Sequence, residues 1–248
     1  MIMENSKILG ASTDDIEYTI DNLIRAVQWG DGRFVEAAIE NYGMLPNSSD
    51  GDHCSLLHWA SINNRYDIAR YLLSKDVDVN FVGGLNKEIS LQWAVRTQRS
   101  SRLVQLLIAE GSDVQHKSIY GCDALFIAVQ AMNLHAAFVL LNSGANPNSA
   151  DMHGDTPLYV LLRRPASIQS HDMIRLLLRF KASVNIKTNI GDTAMHIIAA
   201  GGINFEVYRS QLIYCSGNVI ENIKTLNNEQ LTPYDVSFRQ PLLCSNKF

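Results

Sequence analysis

An all-α solenoid of stacked helix hairpins is the fold this sequence predicts. Three observations point to it. First, Leu57, Leu91, Leu125 and Leu158 recur at a nearly fixed spacing of about 34 residues. Each opens an apolar turn: Ser55-Leu56-Leu57-His58-Trp59-Ala60, Ser90-Leu91-Gln92-Trp93-Ala94, Ala124-Leu125-Phe126-Ile127-Ala128 and Thr156-Pro157-Leu158-Tyr159-Val160. Second, each is followed, half a period later, by a further apolar run: Tyr71-Leu72-Leu73, Leu106-Leu107-Ile108, Val139-Leu140-Leu141 and Leu176-Leu177-Leu178. Third, Gly111, Gly144 and Gly217 stand where a left-handed residue would end the second helix. A fixed period of this length marks units that each bury their apolar face against a neighbour. Such stacks present long grooves to partners and rarely carry out chemistry.

In chain order, residues 1–15 read as a mobile N-terminal segment, with Ser12-Thr13-Asp14-Asp15 offering cap and first-turn oxygens to a helix. Residues 16–239 form the repeat domain and residues 240–248 a C-terminal tail. A degenerate first repeat covers about 16–48; clearer ones follow at about 50–83, 84–117, 118–150, 151–188 and 189–225. A half repeat from Asn227 to Phe238 closes the pattern, giving about six repeats plus a half. The spacing breaks twice. Leu158 to Met195 is longer than the period, and the surplus falls in Arg163-Arg164-Pro165-Ala166-Ser167-Ile168. Proline cannot continue the inner helix, so Pro165 predicts a longer surface turn there. Thr193 to Thr232 is longer still, with the surplus within 202–225.

These units resemble the ankyrin repeat, whose hallmark is Gly-x-Thr-Pro-Leu-His-x-Ala-Ala, a helix hairpin, then Gly-Ala-x-x-Asn. The matching segments are Gly154-Asp155-Thr156-Pro157-Leu158, Leu57-His58-Trp59-Ala60, Gly191-Asp192-Thr193-Ala194-Met195-His196 and Gly144-Ala145-Asn146-Pro147-Asn148. The pattern has physical sense. Threonine caps the helix, and proline suits its first turn, where a missing N–H is no loss. Small Ala60, Ala94 and Ala128 let inner helices stack closely. β-turn fingers are expected between successive hairpins.

The bulk numbers narrow the function. The chain has 248 residues, 46% of them hydrophobic, enough for a substantial core. Its net charge of −4 supplies no basic face for nucleic acid. Cys54, Cys122, Cys215 and Cys244 are scattered, with no CxxC pair for zinc. No metal or cofactor is expected. The run from Leu125 to Leu141 is too short and too polar to span a bilayer, and no signal peptide is evident. The chain reads as cytoplasmic and not membrane-inserted. No GxxxxGK[ST], HExxH or GxSxG occurs, so no catalytic residue is assigned. His58 and His196 are expected to hydrogen-bond within the fold. Asp52-His53-Cys54 matches three of the four residues of Asp-His-His-Cys, but the second histidine is missing.

The groove carries the remaining signal. Ile127, Val160 and Ile197 follow the histidine position in most repeats, whereas Trp59 and Trp93 stand there in the second and third. An indole is large and its one N–H wants a partner. Part of each is therefore expected to reach the groove, a core role being the alternative. Trp29, Asn63 and Thr97 form another row, recurring at the same period. An exposed Trp29 beside the Asn63 amide would grip an extended peptide. The alternative for Trp29 is a cap over the open end of the first repeat.

At these residues the resemblance narrows. The run from His53 to Asp67, Gly83-Gly84, the run from Ser90 to Arg96, and Tyr120-Gly121-Cys122 are similar to the ankyrin domain of the huntingtin-interacting, ankyrin-containing DHHC palmitoyltransferases. The similarity covers about residues 16–238. In that family the ankyrin domain recruits substrates. It captures a short extended segment of two aliphatic residues, two variable ones, then Gln-Pro. The resemblance places peptide-binding roles on Trp29, Asp52, Asn63 and Trp93. It also implies a place at the cytosolic face of Golgi or vesicle membranes if the chain is part of a longer palmitoyltransferase. There are departures. Gln92 replaces the usual histidine, and the membrane and DHHC regions are missing, which leaves a fragment, a short isoform or a free ankyrin adaptor as readings. Val236-Ser237-Phe238-Arg239-Gln240-Pro241 nearly matches the ligand pattern, though its first half is expected to lie in the last inner helix.

Overall fold

The computed structural model describes residues 17–165, 167–200 and 224–239. Among them run ten helices in five antiparallel hairpins: α1 (Ile20–Trp29) with α2 (Gly32–Glu40), α3 (Leu56–Ile62) with α4 (Tyr66–Leu73), α5 (Ser90–Ala94) with α6 (Ser101–Ala109), α7 (Ala124–Gln130) with α8 (Leu134–Asn142), and α9 (Pro157–Leu162) with α10 (Ile168–Arg179). Two further inner helices follow, α11 (Ala194–Ala200) and α12 (Pro233–Arg239). Inner helices pack on inner helices and outer on outer, so the all-α solenoid holds along the described length. Only isolated bridges, Ser49 with Ser55 and Gly83 with Glu88, close the bases of fingers among the described residues.

The core is the periodic leucine set. Leu57, Leu91, Leu125 and Leu158 are fully buried from the inner helices, and Leu72, Leu107, Leu140 and Leu177 from the outer ones. Ala60, Ala94 and Ala128 are equally buried, as close helix stacking requires. Gly111 and Gly144 have φ of 87° and 88°, the left-handed turn expected after an outer helix. Gly217 lies outside the described residues, as does the surplus assigned to 202–225.

Several caps differ from expectation. The segment Ser12–Asp15 lies outside the described residues; α1 is instead capped by Thr19, whose hydroxyl accepts from Asn22 N–H at 3.3 Å. Thr156 sits at the N-cap of α9, but its buried Oγ1 bonds to nothing among the described residues. The reason is its neighbour. In α3 and α11 a histidine Nδ1 meets the cap hydroxyl of Ser55 or Thr193, at 2.8 and 2.9 Å. In α9 that place holds Tyr159, whose hydroxyl donates outward to the carbonyls of Val184 and Ile186.

The surplus near Pro165 is also not simply a longer turn. From inner leucine to outer leucine the chain runs from Leu57 to Leu72, from Leu91 to Leu107 and from Leu125 to Leu140. From Leu158 to Leu177 it runs further by about four residues, which is close to one helical turn. Adding a full turn keeps Leu177 on the buried face. Helix and connection share the surplus: α10 has 12 residues against 9 in α6 and α8, Ser167 caps its new first turn by accepting from Ser170 N–H, and the connection 163–167 is longer than 131–133, as Pro165 predicts.

Neighbouring repeats are tied by polar staples as well as by apolar packing. Asn133 caps α8 through Oδ1 and donates from Nδ2 to the carbonyls of Val95 and Thr97 in the preceding repeat, at 3.0 and 2.7 Å. Each finger bonds to the next through its backbone. Gly84 donates to Asp52, Ile119 to Asn86, Met152 to Tyr120, Asn189 to His153 and Asn228 to Ile190, all between 2.9 and 3.1 Å. The fingers therefore form one continuous rim beside the inner helices.

Candidate functional site

The site begins with one aspartate in a finger. Asp50 Oδ1 accepts from the N–H groups of Asp52 and Cys54, at 3.0 and 2.8 Å, which closes the turn. Its other oxygen, Oδ2, accepts from Trp59 Nε1 at 2.9 Å. That bond satisfies the indole N–H while leaving the ring partly exposed. Trp93 stands one repeat further along. The two indoles meet edge to face, centroids 5.6 Å apart at 84°, and His58 packs against Trp93 in the same manner at 5.2 Å.

Between these rings and the third finger opens a cleft of about 260 Å³. Asp50, Asp52, Cys54, Trp59, Glu88 and Trp93 line it. Trp93 is half-buried, and its Nε1 donates to no group among the described residues, so a hydrogen-bond donor is available beside an aromatic wall. Glu88 is buried and held by Arg96, whose Nη2 lies 2.7 Å from its carboxylate. Neither indole is a plain core residue: both are half-buried and both face the cleft.

The four expected site residues divide in two. Asp52 and Trp93 share the cleft. Asn63 caps the C-terminus of α3, donating from Nδ2 to Trp59 O at 2.9 Å. It lies four residues beyond Trp59, hence on the same helix face about 6 Å along the axis. Its Oδ1 accepts nothing among the described residues. Trp29 ends α1 and does not line the cleft. It is 68% exposed. At the first hairpin, aromatic stacking is instead between Tyr18, Phe34 and Tyr42. Trp29, Asn63 and Thr97 do share one level: each sits at or just past the C-terminus of an inner helix. The first and second hairpins are tied at that level by Arg65, which donates to Gln28 O from Nε and Nη2.

Gln92, read as a departure, performs the histidine's task. His58 Nδ1 accepts from Ser55 N–H at 3.2 Å, and its Nε2 reaches Glu88 O at 3.0 Å. Gln92 Oε1 accepts from Ile89 N–H at 2.9 Å, and its Nε2 donates to Cys122 O at 2.8 Å. His196 makes the same pair of bonds, to Thr193 and Leu231. The histidines are thus structural. Cys54 is buried, and burial, with Asp50 and Asp52 beside it, pushes its thiol up to about 11. A thiol so placed is a poor nucleophile near neutrality.

Asp50 and Glu88 were not singled out from sequence. Acidic residues are common in surface loops, so neither stands out alone. The available signal was positional: Asp151, at the matching place in a later repeat, closes its finger the same way through His153 and Asp155.

Helix hairpins stacked at a fixed period, joined by a rim of fingers and tied by a buried histidine or its substitute, define a repeat protein of the protein-binding kind. The chain belongs to the ankyrin-repeat family: residues 91–187 match the family model described as Ankyrin repeats (3 copies), and residues 52–81 the one described as Ankyrin repeat. Its curated relatives include ankyrin-containing palmitoyltransferases. It is 32% identical over 200 residues to Palmitoyltransferase AKR1 of Lachancea kluyveri, covering 78% of this chain and 26% of that protein. It is 33% identical over 219 residues to Palmitoyltransferase Hip14 of Drosophila melanogaster, covering 73% of this chain and 33% of that one. The chain therefore spans about a quarter to a third of the length of these relatives. The crystal structure of the ankyrin repeat domain of Bcl-3 superposes with a TM-score of 0.73 at 22% identity, covering 86% of this chain and 92% of that one. That likeness bears on the fold. No helix among the described residues is long and apolar enough to cross a membrane.

Proposed function

We propose that this chain is a substrate-recruiting module. It captures short extended peptides with two aliphatic residues, two variable ones and then Gln-Pro, as in ankyrin-containing palmitoyltransferases. One observation carries the reading: a half-exposed Trp93, its N–H unused, walls an open cleft beside Asp52, and the Asn63 amide lies one helical turn beyond the cleft's other indole, Trp59. An indole face suits a proline ring, and an amide can offer donor and acceptor to an extended chain. Buried aromatic anchors are typically worth about 2 kcal/mol or more, roughly thirtyfold in affinity. Trp93→Ala is expected to weaken a Gln-Pro peptide by that factor in calorimetry while circular dichroism stays helical. Unchanged affinity would sink the reading, and lost helicity would make Trp93 a fold residue. Trp29 belongs to the same groove by its level in the stack and is expected to contact the aliphatic end of the peptide.

A second reading, an ankyrin adaptor that binds through its fingers, is favoured by a separate observation. Leu85, Ile119, Tyr120, Met152 and Ile190 are all exposed along the finger rim, Leu85 by 81%. Exposed apolar rows of this kind mark contact surfaces. Binding of a partner that survives Trp93→Ala but not Leu85→Asp would favour it.

A further inference from the structure

The cleft has a chemistry that a Gln-Pro peptide leaves unused. Its two aromatic walls stand at 84° to each other. Asp50, Asp52 and Glu88 line it as well, beside Cys54 and the finger residues from Gly83 to Asn86, and no lysine or arginine among the described residues does. Glu88 is offset by Arg96 at 2.7 Å. Asp50 accepts from Trp59 Nε1 and two backbone N–H groups. The Asp52 carboxylate accepts no hydrogen bond among the described residues and stands exposed at the rim. Burial is the largest cause that raises the Cys54 thiol in the same cleft, and the charges of Asp50, Asp52 and Glu88 all push it further upward. Perpendicular aromatic faces with carboxylates at their edge are the environment that stabilises a desolvated ammonium or guanidinium. The stem of such a side chain is apolar and lies along an indole as readily as a proline ring does.

We propose that the Trp59–Trp93 cleft binds the cationic head of a lysine or arginine that flanks the Gln-Pro motif in the captured peptide. The inference rests on the peptide-capture reading above and adds a charge requirement to it. The cation settles in the cleft against the indole surface exposed there and pairs with Asp52, the one cleft carboxylate with neither a basic partner nor a bound N–H among the described residues.

The test is a set of Gln-Pro peptides carrying lysine, arginine or norleucine at each flanking position in turn, titrated by calorimetry. At one position, lysine and arginine should bind about tenfold more tightly than norleucine. That ratio should shrink towards one in Asp52→Asn and with added salt. Equal affinities at every flanking position would overturn the cationic site and leave peptide capture standing. If none of the peptides binds, peptide capture itself fails. The cleft is then judged on a capped lysine amide against a capped norleucine amide, read on the nitrogen-labelled indole N–H resonances of Trp59 and Trp93. Shifts with lysine alone support the site; resonances indifferent to both overturn it.

Discussion

His58 accepts from the Ser55 N–H on Nδ1, so its proton must sit on Nε2, where it reaches the Glu88 carbonyl. A second proton on Nδ1 would face an N–H donor. Burial, the largest cause, holds the imidazole below its ordinary value of 6.5. The sign follows. A lowered folded value means the unfolded chain takes up the proton first, so stability is full above about 6.5 and is lost as pH falls below it. Gln92 makes the same two bonds one repeat later without a titratable group. His58→Gln is therefore expected to keep the fold at pH 7.5 and to flatten the fall of melting temperature between pH 7 and 5.5. Differential scanning calorimetry of both proteins across that range checks it; parallel pH profiles would show that protonation of His58 is not resisted by the fold. The same pair of residues shows how far single positions could be read. The histidine position was legible from its spacing. Gln92 looked like a departure because residue type was compared where bond geometry is what the position requires.

The hairpins were legible because each must place a leucine inward at the same phase, and a period set by that demand survives changes elsewhere. The extra turn of α10 was not, because Pro165 drew attention to the connection while inserting one turn leaves helical phase almost unchanged. Within the site, Trp59 and Trp93 were legible as large rings at a position that is aliphatic in other repeats. Asp50 was not, since its role needs the three-dimensional meeting of a finger and α3. The fingers also separate two glycines of equal backbone conformation. Gly144 has φ of 88° and a Cβ there would meet nothing within 4 Å. Gly154 has φ of 78°, but its Cβ would lie 2.8 Å from the Asn189 nitrogen, in the bond that joins adjacent fingers. Gly144→Ala is expected to cost about 1 kcal/mol, the left-handed strain alone. Gly154→Ala adds a backbone clash and should cost on the order of 2–3 kcal/mol. Denaturant midpoints measure the difference; equal losses would mean the finger junction yields without penalty.

At the scale of the whole chain, the relatives are transferases while the span they share with this chain is a stack of helices. Acyl transfer from a thioester needs a thiolate that the donor can reach. Of the cysteines within the described residues, Cys54 is buried and Cys122 half-buried, and burial is the largest cause that pushes both thiols up to about 11. At neutral pH that leaves about one thiolate in ten thousand, against a few per cent for an ordinary exposed cysteine. Aspartates beside each thiol raise it further, where a reactive cysteine would have a histidine or a helix N-terminus to lower it. The pattern Asp52-His53-Cys54 forms a finger turn: the Asp50 oxygen that orders it binds the Cys54 N–H, and the sulfur packs near Gly84. The ligand-like run Val236–Pro241 is constrained by its helix, since Val236 to Arg239 belong to α12 and a helix cannot bind as an extended strand, while 240–248 lie outside the described residues. Purified chain incubated with a palmitoyl thioester and a Gln-Pro peptide bearing an acceptor cysteine is expected to bind the peptide and transfer nothing to it. Mass spectrometry of both components decides the matter. A thioester on Cys54 that forms at pH 7 and then passes its acyl group to the peptide would overturn this reading; acylation lost in Cys54→Ser would confirm the residue at fault.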